Sequence, residues 1–337
     1  MNILVTGGAG YIGSFMIKRL LEEDHKIVVL DNLERGSKDA IDKRAIFIKG
    51  DILDTITLNN IFLKNKFDVI IHFAGYISVN ESIKHPYLYF QNNTYGSLNL
   101  INTAIENGVN NIIFSSTAGV YGKPVRTPIP EEHSKNPESP YGESKLLVEQ
   151  LLNWYAKTKA LNYVILRYFN VAGAALDSSL GKISQSNDHI ISNLMRTALG
   201  KCNFELFGDN YETKDGTCIR DYIHVLDLVE AHVLSIERLN KKPNCYTYNV
   251  GTGKGYSNLE VIEMVKKITK KDFQVKVTNR RPGDVDAVIA DPEKIKKELL
   301  FQPKYSNLET IIKTEWEWCK KSYDKLKPCE EKEKLDI

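Results

Sequence analysis

Short, nearly continuous apolar runs recur along the first half of the chain, each ending in small or polar residues. Asn2–Thr6, Lys26–Asp31, Ala45–Asp51, Asp68–Gly75, Asn111–Thr117 and Tyr163–Asn170 have the length and Val/Ile/Leu content of strands covered on both faces. Stretches of helical period run to about Glu23 after the first of these, over Thr57–Lys64 and Tyr87–Asn107, and onward from Pro140. Strands alternating with helices predict an α/β chain built on a doubly wound parallel sheet. Later elements are shorter: a helix near His189–Leu199, then short elements at Phe204–Phe207 and Gly216–His224, and helices near Leu226–Arg238 and Asn258–Thr269. Asp177–Asp188 has the polar, glycine-bearing composition of a surface loop.

The first strand runs directly into Gly7-Gly-Ala-Gly-Tyr-Ile-Gly13 and then into a helix. Glycines in that context permit a tight turn and let backbone amides, with the helix N-terminus behind them, approach a pyrophosphate. The second strand ends in Asp31, 18 residues after Gly13, where a carboxylate accepts hydrogen bonds from ribose hydroxyls and repels a 2′-phosphate. NAD is therefore favoured over NADP, with Arg35 nearby as the residue that would suit the phosphate. Asp51, Ala74-Gly75 and Thr117 also fall at carboxyl ends of expected strands, where ligands of such sheets bind. The expected organisation is a dinucleotide-binding domain of Rossmann type over 1–170, interleaved with later segments. A smaller α/β substrate lobe covers mainly 171–320, and a charged, disordered tail covers 328–337.

In Ser139-Pro-Tyr-Gly-Glu-Ser-Lys145, Pro140 suits the first turn of a helix, and Tyr141 and Lys145 then lie one turn apart on one face. An ammonium beside a phenol favours phenolate, as would a positively charged nicotinamide ring, so the pair can form a tyrosinate base. The spacing alone decides nothing, because Tyr155/Lys159 and Tyr323/Lys327 share it, and an ordinary solvated helix face shows it as readily. A nucleotide site and a third candidate group give it weight. Thr117, after the fifth strand, is placed to hydrogen-bond a substrate oxygen, or simply to cap a turn.

Composition narrows the classes. With 42% hydrophobic and 26% charged residues in 337, the chain is that of an ordinary globular protein, and a net charge of +2 gives no support for nucleic-acid or membrane binding. Five cysteines without C-x-x-C spacing are expected to be reduced thiols of a cytoplasmic protein, with no metal site. Arg280-Arg281 concentrates two guanidinium groups in a turn, suited to a diphosphate or to solvent.

Taken together, Val5–Ser14, Leu30–Asn32, His72–Gly75, Ser115–Gly122, Ser139–Lys145, Arg167–Asn170, Asp215–Asp227 and Arg280–Asp284 resemble the extended short-chain dehydrogenase/reductases, in particular the UDP-sugar 4-epimerases among them. The likeness runs from Met1 to about Trp318. It implies reversible C4 epimerisation of UDP-hexoses (UDP-glucose and UDP-galactose) through a 4-keto sugar and bound NADH, by an isomerase acting as a homodimer. Thr117, Tyr141 and Lys145 would be catalytic. NAD would be held by Gly7, Gly10, Tyr11, Ile12, Gly13, Asp31, Asn32, Asp51, Ile52, Phe73, Ala74, Gly75, Asn92, Tyr141, Lys145 and Tyr168. The UDP-sugar would meet Thr117, Tyr141, Asn170, His189, Ile190, Arg220, Arg281, Asp284 and Val288. Ala118 and Gly119 stand where related dehydratases and decarboxylases carry acidic residues, which favours epimerisation over elimination. Ile77 or Ser78 stands where some epimerases place a cofactor-contacting Lys. Val288 replaces a bulky aromatic and would leave room for an N-acetyl group, so UDP-N-acetylglucosamine and UDP-pentoses are alternative substrates. A non-catalytic NAD-binding scaffold is the alternative of another class.

Overall fold

The computed structural model describes residues 1–182, 189–281 and 283–326. The strands of the first half are β1 (Asn2–Thr6), β2 (Lys26–Asp31), β3 (Ile46–Lys49), β4 (Val69–His72), β5 (Asn111–Thr117) and β6 (Asn162–Tyr168). Then come β7 (Asn170–Ala172), β8 (Phe204–Phe207), β9 (Ile219–His224), β10 (Cys245–Val250), β11 (Gly255–Ser257), β12 (Val275–Thr278) and β13 (Ala287–Val288). The helices are α1 (Tyr11–Leu21), α2 (Thr55–Lys64), α3 (Val79–Lys84), α4 (Pro86–Tyr89), α5 (Gly96–Glu106), α6 (Pro140–Lys159), α7 (Ile190–Ala198), α8 (Val225–Lys241), α9 (Asn258–Thr269), α10 (Glu293–Leu299) and α11 (Leu308–Lys321).

Seven strands form one sheet in the order β10-β6-β5-β4-β1-β2-β3, every pair parallel. Alternate residues of each strand supply two cores, which is why the runs are apolar almost throughout. Ile3, Val5, Val29 and Ile71 pack with Ile17 of α1 and Leu228 of α8, while Leu4, Leu30, Ile70 and Ile112 pack with Leu100 of α5 and Val148 of α6. The strand order reverses between β1 and β4, and the crevice beyond their carboxyl ends is where an open sheet of this kind takes a ligand. The later part of the chain builds the β11-β9-β13 sheet with β7 against β9, the β8–β12 pair, and a third core around α7, α9 and α11.

Several elements differ from the sequence expectation. The helix over Tyr87–Asn107 is interrupted by a π-helical turn at Phe90–Tyr95, whose extra residue per turn directs both Asn92 and Asn93 inward, 8% and 1% exposed. β10 lies in the main sheet although it follows β6 by some 80 residues; its Cys-Tyr-Thr-Tyr-Asn-Val sequence lacks the continuous apolar signal of its neighbours. The short α3, β11, β13 and α10, as well as α11, give patterns too brief or too mixed to be read in advance. Cys218, Cys245 and Cys319 are free thiols, but Cys202 is disulfide-bonded, against the expectation of reduced thiols throughout. Beside it, Lys201 Nζ donates to the carbonyls of Tyr323 and Leu326 at 2.5 Å each. The 328–337 tail, and the 183–188 part of the expected loop, lie outside the described residues. Among the described residues, no helix is long and apolar enough to cross a membrane.

Candidate active site

The glycine turn is built by close approaches that only glycine permits. Gly7 has φ +71°, and a Cβ there would stand 2.5 Å from the backbone nitrogen of Ala74; a Cβ on Gly13 would stand 2.4 Å from the Gly7 carbonyl oxygen. The turn after β4 therefore lies directly against the turn after β1, with the Phe73 amide bonded to the Thr6 carbonyl at 3.0 Å. Gly10 precedes the first turn of α1, so the amides of Tyr11 and Ile12 open the helix at the mouth of the crevice. Asp31 serves this architecture as well as any ligand: its carboxylate accepts from the amides of Ala9 (2.9 Å) and Leu33 (2.8 Å). Asn32 donates to Asp51 at 2.9 Å, and buried Ile52 packs beneath Gly96. Arg35, the residue suited to a 2′-phosphate, is instead paired with Glu81 at 2.8 Å and lies over the ring of Tyr76. Ile77 is exposed, and Ser78 caps α3.

The second set comes from β5 and α6. Ser139 caps α6 through the Gly142 amide (3.2 Å), and Pro140 occupies its first turn as its sequence demands. Gly142 lets the helix start touch the turn after β5, since a Cβ there would be 2.6 Å from the Gly119 carbonyl oxygen. Thr117 caps that turn by accepting from the Gly119 amide at 3.1 Å, and its side chain also hydrogen-bonds Tyr141. Of the two uses weighed from sequence, the turn cap is the one seen here.

Lys145, 3% exposed, donates from Nζ to the Ser115 carbonyl at 3.0 Å and sits over the Phe114 ring. A Cβ on Gly75 would stand 3.2 Å from this Nζ, so the turn after β4 and helix α6 meet. Asn93 fixes that meeting. It accepts from the Tyr76 amide and donates to the Tyr76 carbonyl (3.0 Å) and to Ser144 Oγ (3.0 Å), tying the turn after β4 to α6. Asn92 donates to Asn93 at 3.1 Å.

Burial dominates the titration of the pair. It raises the Tyr141 phenol above its ordinary value, opposed by the Thr117 hydrogen bond, and lowers Lys145 from 10.5 to about 8. The drop in the Tyr141 pKa expected from sequence is thus not supplied by the chain's own charges; desolvation outweighs them. For Lys145 the unfolded chain keeps its proton up to about 10.5 while the folded chain releases it near 8. Its ammonium therefore costs stability in full below about 8, and that cost fades as pH rises toward 10.5. Lys145→Met is expected to raise the thermal midpoint of cofactor-stripped protein at pH 7, with the advantage shrinking by pH 10; equal midpoint differences at both pH values would contradict this.

Tyr168 is buried, and its hydroxyl bonds His232 Nε2 at 2.7 Å. Because His232 Nδ1 faces the Leu228 carbonyl at 2.9 Å and must donate to it, Nε2 is the acceptor and Tyr168 the donor. The His232 ring also packs on Phe73, with centroids 4.9 Å apart.

Residues expected at the sugar nucleotide gather on the second lobe. Asn170 pairs across from Tyr222, and Val288 across from Arg220. Arg220 Nη1 donates to the carbonyls of Ile219 and Val285 at 2.9 Å, and Nη2 reaches Asp284 at 3.3 Å. Arg281 lies over the Phe207 ring at 3.9 Å, and Arg280 over Tyr211 at 4.0 Å. His189 precedes α7, which begins at Ile190; nearby Lys182, and then burial, hold its pKa well below the ordinary range. Val288 packs beside Val120, Tyr121 and Phe169, between the Thr117 turn and Arg220. Tyr222 went unnoticed in the sequence; it is buried across from Asn170 of β7.

Comparison with known proteins follows this geometry. Residues 3–251 match the model of the NAD-dependent epimerase/dehydratase family. A UDP-glucose 4-epimerase of Lactobacillus helveticus is 42% identical over 321 residues, covering 95% of this chain and 97% of its own. The crystal structure of UDP-glucose 4-epimerase from Brucella ovis in complex with NAD superposes with a TM-score of 0.91 at 42% identity, covering 94% and 97% of the two chains. The UDP-Glc/GlcNAc 4-epimerase of Campylobacter jejuni is 43% identical, with a TM-score of 0.84 and coverage of 95% and 99%.

Proposed function

The chain belongs to the NAD-dependent epimerase/dehydratase family, and we propose on that premise that Thr117, Tyr141 and Lys145 carry out its reaction, the C4 epimerisation of UDP-glucose and UDP-galactose. It is an isomerase that uses NAD. The cofactor fits the residues present: a glycine turn too close for any Cβ, a carboxylate at the end of β2, and a lysine beside Gly75. When bound, NAD supplies the two-electron acceptor that makes C4 a ketone and then the reductant that restores it. Gly7, Gly10, Tyr11, Ile12, Gly13, Asp31, Asn32, Asp51, Ile52, Phe73, Ala74, Gly75, Asn92 and Tyr168 would hold it.

In this mechanism Tyr141, as phenolate, takes the proton of the 4-hydroxyl and later returns it to the same oxygen on the opposite ring face. Thr117 donates to that oxygen as charge develops on it. Lys145 stabilises the phenolate, offsetting its burial. Asn170, His189, Ile190, Arg220, Arg281 and Asp284 would hold the UDP group, so the sugar ring is free to turn over between the two transfers. Ala118 and Gly119 offer no acid for elimination. The observation that supports this assignment is the approach of Lys145 Nζ to Gly75 in the turn after β4. Purified protein given UDP-galactose without added NAD should produce the gluco isomer by proton NMR; no turnover even with NAD supplied would overturn the assignment.

A wider substrate range is favoured by one position. Val288 is short and half-buried beside Arg220, and the Campylobacter enzyme is named for both Glc and GlcNAc. Val288→Tyr is expected to abolish turnover of UDP-N-acetylgalactosamine while sparing UDP-galactose; loss of both, or of neither, would refute that role. A homodimer is supported by Tyr87, Tyr95 and Trp154, which are 70%, 53% and 63% exposed along the outer side of α4, the π turn and α6.

A further inference from the structure

A buried polar network built on Glu149 and Arg167 lies beside the residues assigned to the reaction. Glu149 and Arg167 are 5% and 4% exposed. Arg167 grips the carboxylate in fork geometry, Nη2 to Oε2 at 2.6 Å and Nε to Oε1 at 3.0 Å. Glu149 Oε1 also accepts from Ser116 Oγ at 2.6 Å. On its other side the guanidinium donates to the Tyr121 hydroxyl at 2.8 Å and to the Glu131 carbonyl at 3.0 Å. Tyr121 in turn donates to Asn249 Oδ1 of β10 at 2.7 Å.

The placement of these groups gives the network its reach. Glu149 follows Lys145 by one turn of α6 and Tyr141 by two, on the same face. Ser116 immediately precedes Thr117, and Tyr121 closes the turn that Thr117 caps. One ion pair thus holds both halves of the site: the helix bearing Tyr141 and Lys145, and the strand end bearing Thr117.

Stability alone does not call for charges here. Burying each ion costs several kcal/mol, and apolar residues of similar volume commonly serve a fold as well or better. Neighbouring Leu146, Val148 and Leu152 show that this helix is otherwise packed by apolar side chains. Apolar contacts, however, are non-directional and do not set a register to fractions of an ångström, whereas a forked pair with a third hydrogen bond does.

We infer that Glu149 and Arg167 are positioning residues, which fix Thr117 relative to Tyr141 and Lys145 by clamping β5, its following turn, α6 and β10 in one geometry. This rests on the epimerase assignment above, and wild-type turnover in the same assay separates the two: an inactive wild type refutes the assignment, not the clamp.

The decisive variant is the double replacement Glu149→Met/Arg167→Met, beside the single Glu149→Gln. The single variant strands a buried guanidinium and should lower both the thermal midpoint and kcat. The double variant should regain the midpoint, yet keep kcat depressed by about 10- to 100-fold at unchanged KM for UDP-galactose. The acidic limb of its kcat–pH profile should move to higher pH, because a displaced Thr117 no longer favours the Tyr141 phenolate. Recovery of kcat together with the midpoint, with an unmoved pH profile, would make the pair merely structural and overturn the inference. Should the double variant fail to fold, Ser116→Ala decides. It cuts the link to Thr117 and leaves the pair intact, so kcat should fall severalfold with midpoint and KM unchanged; wild-type kcat would overturn the clamp.

Discussion

Tyr141→Phe is expected to lower kcat by about 10²- to 10⁴-fold, the span of losses when a positioned general base is removed, while bound NAD and the thermal midpoint stay close to wild type. The phenol hydroxyl is the only atom removed, and its described side-chain hydrogen bond is to Thr117. The ring remains to pack edge-on against Tyr89, their centroids 6.4 Å apart. Steady-state rates with UDP-galactose, alongside the nicotinamide content of the purified variant, measure both halves of the expectation. A variant retaining most of its rate would show that another group takes the 4-hydroxyl proton. Thr117 would be the next candidate, although an unassisted hydroxyl is a far weaker base than a phenolate.

Gly7→Ala should have the second-largest effect, for a different reason. Its Cβ would be driven to within 2.5 Å of the Ala74 backbone nitrogen, at a φ of +71° that side-chain-bearing residues avoid. Strain of this kind together with overpacking costs about 3 kcal/mol. The two turns can relieve it only by separating, and that dismantles the crevice between β1 and β4. If the cost falls on the binding-competent arrangement, cofactor affinity drops by about 100-fold. The variant should then purify with little NAD and recover activity as NAD is added, with normal kcat at saturation. Full cofactor content in the purified variant would show that the turn can absorb a methyl group and that its glycine is not required.

These two sites were also the most legible in the sequence, because local chemistry dictates them. A glycine-rich turn between an apolar run and an amphipathic one has few structural uses, and Pro140 marks a helix start wherever the helix later packs. Five of the six strands of the first half announced themselves because burial on both faces leaves no polar alternation to confuse with anything else, while the edge strand β3, half-exposed, was marked by its apolar Ile-Phe-Ile.

What was hidden is equally systematic. Asn93 is an ordinary polar residue until the π turn rotates it inward. Glu149 sits four residues after Lys145, but an acid at that spacing on a helix reads as a solvated partner for a lysine. Only the strand order, which sets Arg167 opposite Ser116, makes it a buried clamp. Tyr222 and His232 depend on contacts with strands far away in sequence. Charge regulation was hidden for the same reason. The spacing of Tyr141 and Lys145 suggested a phenol drawn down by an ammonium, whereas the depth of the site, set by long-range packing, raises the phenol and lowers the ammonium.

The central claim is that C4 is oxidised and then reduced again within one closed site, with Tyr141 moving only the hydroxyl proton. It is tested most directly by following UDP-galactose carrying deuterium at C4 as the protein converts it in ordinary water. The UDP-glucose formed should keep the deuterium at C4, because the hydrogen leaves and returns without meeting solvent. Product carrying ordinary hydrogen at C4 would contradict it, since C4 would then have exchanged with water by a route that the residues of this site do not provide.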